Sequence, residues 1–535
     1  MNTPDSKLAE ATPAGYAWLK QHFDLPDSKL TEATPAGYAW LKQHFDLKVL
    51  PHFHESYIVK RGIRRSSEKE GGMIKKVFTK TYAPDPTPLG HMEFALKYDG
   101  VNLEILKAAF AKIPEQEVTK YILNKPTGRY RKKIWFLFEF LTNRLLDIPD
   151  LGRSNYVDVL EEEQYYTAKQ VQSRRHRVND NLLGGAAFCP IVRRTPRLKE
   201  WEEKKLESKI REILGKYPED IQQRARGNSH VAETRSSYKI ENESSRGDSQ
   251  RRFTKLTKEA GTRPFFTKHA LIELQNSIVD AKSKFRVDDY RDRQVYVSAQ
   301  TPTTEGAMKL IPPKPVDVPE LMEGMYSCFH RLMDPSVHPV VAAAVISYGF
   351  VYIHPFPDAN GRISRFLIHD VLARREFTPE GLCVEVSTIM DGESERYQES
   401  LNYFSKPLVE LTEWRLDSDG YMTATNVMAD YFRYIDFTKI AEQLFGFIDK
   451  TLNTKFIENL NNLKSYELAR RSIRDVRDGL GDKEDLLVKF LHQENWRLSA
   501  KKRKKFFPEL TDSDVAEIER NVRDAFTDED DKTDL

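Results

Sequence analysis

Hydrophobic residues recur along the chain mainly at helical spacing, and one run dominates. Residues 340–353 are almost wholly apolar, broken only by Ser347 and Gly349 near the middle. A stretch of about fourteen residues is too short to cross a bilayer, so it predicts a buried central helix. Pro355 disfavours helical angles at His354 and should end that helix near Ile353. Pro357, Asp358, Asn360 and Gly361 are turn formers, so a tight loop follows. Beyond it, Ile363, Phe366, Leu367 and Val371 share one face of a second helix over 362–374. Further helices are predicted around the stripe Ala270, Leu271, Leu274, Ile278 and Val279, over 318–332 and over 394–408. One stretch alternates at strand period: 290–297, with 308–311 as its partner, 301–306 as the turn and Pro312-Pro313 as the stop. It predicts a hairpin at 294–311.

The remaining chain is more mixed. Between 48 and 195, β-like runs such as 77–82 alternate with helical ones such as 103–112 and 133–146. Residues 196–225 are dense in Lys, Glu and Arg and read as a surface helix or helical linker. Residues 410–535 are largely helical, with a stripe through Ile440, Leu444, Phe447 and Ile448. At the amino end, 4–25 and 26–47 are a tandem duplication differing only at Ala9 against Thr31. Two copies are too few to stack as a solenoid. They read as a recent duplication with one copy frayed, or as a doubled docking helix presenting Tyr16, Trp18, Tyr38 and Trp40. The organisation expected is 1–47 duplication, 48–195 mixed α/β region, 196–252 helical linker, 253–410 helical core and 411–535 helical region. The fold class is mainly α.

Composition narrows the function. With 83 basic and 81 acidic residues, 39% hydrophobic and 31% charged, nothing pulls the chain globally towards nucleic acid or membrane. The basic segment 125–133 (KPTGRYRKK) reads as a solvated helix entrance before it reads as a nucleic-acid contact. Cys189, Cys328 and Cys383 are an odd, widely spaced set without metal-ligand spacing, as expected of reduced thiols. No apolar leader run opens the sequence. A cytoplasmic, soluble protein is expected.

The chemistry concentrates in 354–365, H-P-F-P-D-A-N-G-R-I-S-R. A helix amino terminus carries about half a positive charge and unpaired N–H groups. Arg362 and Arg365, three apart on that first turn, are unfavourable there unless an anion sits among them. Together with the glycine-containing loop they describe a polyphosphate cradle. His354 can accept a proton near neutral pH, and Asp358 can offer oxygen to Mg²⁺. These groups point to phosphoryl or nucleotidyl transfer.

The stretch resembles the motif of the Fic family, HPFx(D/E)GNGRxxR, at His354, Pro355, Phe356, Asp358, Asn360, Gly361, Arg362 and Arg365, and departs from it at Ala359, usually glycine. The resemblance implies a Fic-type helical core with one β-hairpin flap, and transfer of AMP from ATP with Mg²⁺ to a Ser, Thr or Tyr hydroxyl. The acceptor would be a target protein or the chain itself. His354 would be the general base, Asp358 the metal ligand, and Asn360 and Gly361 the stabilisers of charge on the α-phosphate. Arg362 and Arg365 would hold the β- and γ-phosphates, and Phe356 would anchor the loop. Gly361 is not the lysine of the family branch that transfers phosphate, which favours AMP. Tyr397 would contact adenine, or else pack as a core tyrosine. Val295, Tyr296 and Val297 would align the target by strand addition to the flap. Ser237, Glu241 and Asn242 resemble the family's inhibitory motif, (S/T)xxxE(G/N), on a helix near 232–246 that lies before the core, with Glu241 competing with the γ-phosphate for Arg365. A deAMPylating hydrolase and a nucleotide-sensing binding protein are the alternatives; a homo-oligomer is compatible with any of these readings.

Overall fold

The computed structural model describes residues 33–59, 65–68, 74–242, 247–280, 282–298, 308–418 and 421–527. The chain divides into two compact units, each built from separated segments. The first comprises the residues up to 199 together with 266–368 and 398–442; the second comprises 200–265, 369–397 and 443 onwards. No described helix is long and apolar enough to cross a membrane.

In the first unit, β1 (Thr34–Ala36), β2 (His54–Val59), β3 (Arg65–Glu68) and β4 (Ile74–Thr79) form a sheet in the order β1-β2-β4-β3. β2 and β4 run parallel, while the outer pairs are antiparallel. β1 and the following helix α1 (Tyr38–His44) are the second copy of the duplication. Tyr38 is fully buried, and its hydroxyl donates to Gly100 O at 2.9 Å and accepts from Asn102 N at 3.1 Å. Trp40 stacks on His91 with ring centroids 4.0 Å apart. This copy is therefore woven into a core rather than presented for docking; Tyr16 and Trp18 lie outside the described residues.

Helices α2 (Pro88–Tyr98), α3 (Leu103–Phe110) and α4 (Arg129–Thr142) complete that core. Lys132 and Lys133 at the start of α4 are each 2% exposed. Their ammonium groups turn inward, to Asn155 O at 2.6 Å and to Glu161 Oε1 at 2.6 Å. The solvated helix entrance expected at 125–133 holds for the exposed Lys125, Thr127 and Arg129 and is corrected at Lys132 and Lys133, which nearby carbonyls and a carboxylate satisfy inside. Backbone pairing joins the mixed region to the later chain: Cys189 N to Arg433 O, Ile191 N to Ile435 O and Phe437 N to Ile191 O.

The helical core of this unit follows the hydrophobic pattern closely. α5 (Lys268–Ile278) begins at a Thr267 cap that accepts from Ala270 N. α6 (Val318–Leu332) and α7 (Pro339–Ile353) pack together. Pro339 stands at the first helical position of α7, where its missing N–H costs nothing. Every residue from Val340 to Ile353 is buried, as an all-round apolar helix requires. α8 (Asn360–Arg374) starts two residues earlier than the apolar stripe indicated. Ile363, Phe366, Leu367 and Val371 are at most 1% exposed. The hairpin is shorter than expected: β5 (Val297–Ser298) pairs with β6 (Met308–Leu310), with Val297 opposite Leu310. Residues 290–296 are not strand, so Val295 and Tyr296 precede the paired backbone. The expected turn, 301–306, lies outside the described residues.

The second unit is helical. The helix Lys455–Val476 packs along Asp512–Thr527, and Glu219–Ile240 packs along Val386–Gly392. Ala469, Ile473, Leu487, Leu491, Phe507 and Val522 form its core. The helix Thr438–Asn453 begins in the first unit and continues into the second, and its stripe Ile440, Leu444, Phe447 and Ile448 is fully buried. All three cysteines are free and buried. The acidic tail at 528–531 lies outside the described residues.

Candidate active site

The loop joining α7 to α8 carries the chemistry, and its conformation follows from its sequence. His354 caps α7 in the left-handed region (φ 53°, ψ 57°), with its N–H bonded to Phe350 O at 2.9 Å. That kink turns the chain abruptly out of the helix. The ring Nδ1 lies 2.9 Å from Val351 O. A carbonyl can only accept, so Nδ1 is the donor, and in the neutral ring Nε2 is the basic nitrogen. This is the tautomer a general base at Nε2 needs.

Phe356 is completely buried and anchors the loop, with its ring 5.9 Å from Tyr290 and 6.2 Å from Phe350. Asn360, 2% exposed, clamps the turn from inside: its Oδ1 accepts from Phe356 N at 3.1 Å, and its Nδ2 donates to Phe356 O at 2.7 Å. One N–H of the amide is thus bonded to the loop backbone. Ala359 adopts φ 71°, the left-handed region in which the missing glycine would be unstrained.

Asp358 Oδ1 accepts the Ala359 N–H at 2.5 Å and pairs with Arg362 Nη2 at 3.0 Å. Its other carboxylate oxygen makes no hydrogen bond among the described residues. A half-exposed carboxylate oxygen with phosphate and water as co-ligands suits Mg²⁺. Arg362 and Arg365 are 2% and 1% exposed. Both arginines of the expected cradle are therefore enclosed in this structure. The Arg362 guanidinium folds back onto Asp358 of its own loop, which relieves the positive end of the helix.

Sequence reasoning missed Arg291. It is 5% exposed, and burial pulls its guanidinium down to about 10. Nε donates to His354 O at 2.8 Å, Nη1 to Arg293 O at 3.0 Å and Nη2 to Pro313 O at 2.5 Å. Its backbone N–H donates to Pro355 O at 2.9 Å. The stretch R-D-R-Q looks like charged strand alternation, so no periodicity could flag an inward-facing arginine. Beside the loop a cavity of about 540 Å³ opens, lined in part by Val287, Tyr290, Arg293, Pro357 and Tyr421.

Other expected site residues belong to the second unit. Tyr397 is 8% exposed, with its ring 6.4 Å from Phe447. The helix over Ser237 ends at Ile240, not near 246. Ser237 is buried, Glu241 is the exposed C-cap, and Asn242 turns left-handed at φ 54°. Residues 243–246 lie outside the described residues.

Glu233, His369 and Cys383 in the second unit bring possible metal ligands within 4.8 Å of one another, all buried. His369 Nε2 lies 2.9 Å from Glu233 Oε1, and the Ser387 N–H and hydroxyl both bond the same carboxylate. Burial alone would raise Glu233, but His369 and Ser387 hold it below the usual carboxylate range. Burial pushes the Cys383 thiol far up. The Glu233 carboxylate thus takes part in a buried polar cluster with His369 and Ser387, beside the Cys383 thiol.

Residues 265–372 match the Fic/DOC family. The protein adenylyltransferase Fic of Drosophila mojavensis is 32% identical over 115 residues, which are 22% of this chain and 21% of that protein. Its counterpart in Nematostella vectensis is 33% identical over 110 residues, 20% of this chain and 23% of that protein. The chain thus spans about a fifth of the length of the curated relatives it matches. A Fic family protein from Desulfovibrio desulfuricans superposes at a TM-score of 0.35 and 18% identity, covering 52% of this chain and 80% of that one, a likeness too loose to bear on the site. The kinked His354, the Asn360 clamp and the paired arginines fall inside the span, residues 265–372, that matches the Fic/DOC family.

Proposed function

We propose that the chain is a protein adenylyltransferase. His354 Nε2 takes the proton of a Ser, Thr or Tyr hydroxyl as its oxygen attacks the α-phosphorus of ATP. The new O–P bond joins AMP to the protein, the bond to the β-phosphate bridge breaks, and pyrophosphate leaves. Asp358 holds Mg²⁺, which neutralises phosphate charge when bound. Gly361 backbone, Arg362 and Arg365 face the polyphosphate, and Asn360 serves by holding the loop. Val297 and the residues before it receive the target segment. The observation that carries this reading is the His354 tautomer, fixed by Val351 O at the mouth of a helix that begins Asn-Gly-Arg.

Both arginines are enclosed, so polyphosphate must displace Arg362 from Asp358 and uncover Arg365. A slow resting enzyme follows. Assignment of Glu241 as the restraining residue, with Ser237 and Asn242 beside it, rests on the sequence resemblance. The test uses ATP labelled at the α-phosphate with the full chain and a lysate. Label in protein bands, at least tenfold faster for Glu241→Gly than for wild type, is expected. Loss of label from a pre-modified target would instead indicate hydrolysis, and neither outcome would indicate nucleotide sensing. If Glu241→Gly labels no faster while ATP still binds, the restraint does not lie in Glu241.

A further inference from the structure

We infer that Arg291 is a positioning residue that ties the catalytic loop to both stems of the flap. The inference rests on the reading of His354 as general base. One guanidinium reaches three carbonyls from three chain segments: His354 in the motif, Arg293 before β5 and Pro313 after β6. The Arg291 N–H adds a fourth bond, to Pro355 O. His354 and Pro355 are thus held by their carbonyls from the side of the flap, while Val351 fixes the ring from the side of α7.

The geometry needs arginine. Three carbonyls are met by three different nitrogens in a planar fork, which a single ammonium cannot reproduce in one place. Among the described residues no carboxylate pairs with Arg291, so its charge is balanced only by carbonyl dipoles. A buried cation held this way commits all its bonding to geometry and none to charge neutralisation. The consequence is mechanical: displacement of either flap stem pulls on the same guanidinium that sets the His354 backbone. Seating a target strand on the flap and aligning the base are then one event, not two.

The test compares wild type, Arg291→Lys and Arg291→Ala in the full chain. Transfer is read as kcat and as KM for ATP, alongside ATP affinity and hydrogen exchange of peptides covering 354–360. Expected for Arg291→Lys is a ten- to hundredfold fall in kcat with ATP affinity within threefold, and faster exchange over 354–360 with α6 unchanged. Guanidinium ion at millimolar concentration should restore part of the rate to Arg291→Ala and none to Arg291→Lys. Wild-type kcat in Arg291→Lys, or a loss confined to ATP affinity, overturns the inference. If wild type transfers no AMP, the exchange comparison still decides whether Arg291 holds the loop. Unchanged exchange over 354–360 in both variants overturns it independently of the reaction.

Discussion

Ala359 shows how far one residue can be judged before its backbone is seen. The sequence marks it as the position where the motif departs from glycine, and the structure gives it φ 71° and near-complete burial. A left-handed L-residue costs about 1–2 kcal/mol, while glycine at the same place adds about 0.4–1 kcal/mol of unfolded-state entropy. The strain outweighs the entropy, so Ala359→Gly should stabilise the chain by about 0.5–1 kcal/mol, read as a rise in urea midpoint. A lower midpoint would mean that the left-handed turn is relieved by contacts glycine loses. His354 permits a sharper forecast. Its ring is held by Val351 O and, in the proposed reaction, bears on a hydroxyl proton and not on phosphate, so His354→Ala should abolish transfer with ATP affinity within a few-fold of wild type. Titration calorimetry together with a labelling assay separates the two, and a parallel loss of ATP binding would remove the general-base role. Both positions were legible because the motif compresses base, carboxylate and cations into consecutive residues. Arg291 was not, because its role is set by three carbonyls distant in sequence.

At the scale of elements, the helices were more readable than the strands, for a physical reason. An apolar face at helical spacing is a property of one segment, and α6, α7 and α8 ended within a residue or two of where caps and prolines placed them. A strand is defined by its partner. The alternation over 290–297 includes one arginine, Arg291, that turns in towards carbonyls, and among the described residues there only Val297, with Ser298 after it, finds a pairing edge. Helix packing also hides constraints that composition does not show. A side-chain carbon on Gly324 of α6 would lie 2.7 Å from the Ala187 carbonyl carbon and 2.7 Å from Phe188 N. Backbone cannot yield as a flexible side chain can, so Gly324→Ala should destabilise the first unit by about 1–3 kcal/mol. Thermal unfolding would check this; a neutral substitution would show that the 187–188 segment shifts freely.

The whole molecule was the least legible scale, because each of its two units is assembled from segments that other chain separates. Composition shifts suggest consecutive blocks, whereas backbone bonds such as Ile191 to Ile435 join residues hundreds apart. Two cores also mean that unfolding need not be a single transition, so pH dependence is best followed unit by unit. In the second unit Glu385 is 3% exposed, and burial, with the charge of Glu233, pushes its carboxyl up to about 8 against the opposing hydrogen bond from Asn459. The direction follows from proton counts. Below the unfolded value near 4.5, both states carry the proton and the group is neutral with respect to pH. Between there and about 8, the unfolded chain releases its proton while the folded one keeps it, so stability falls as pH rises. Above that window both are ionised and the slope vanishes. The slope amounts to about 1.4 kcal/mol per pH unit for a single fully shifted group. His230, which burial lowers to about 4, acts oppositely, its contribution being lost as pH falls from about 6.5. Comparison with Glu385→Gln isolates the acid from that background. Glutamine keeps an oxygen for the Asn459 amide, whose Nδ2 lies 2.9 and 2.7 Å from the two carboxylate oxygens, and it cannot ionise. The variant should therefore gain on wild type steadily from pH 5 to pH 8, with protection factors of second-unit amides as the readout. A constant difference across that range would mean that Glu385 is ionised in the folded chain throughout.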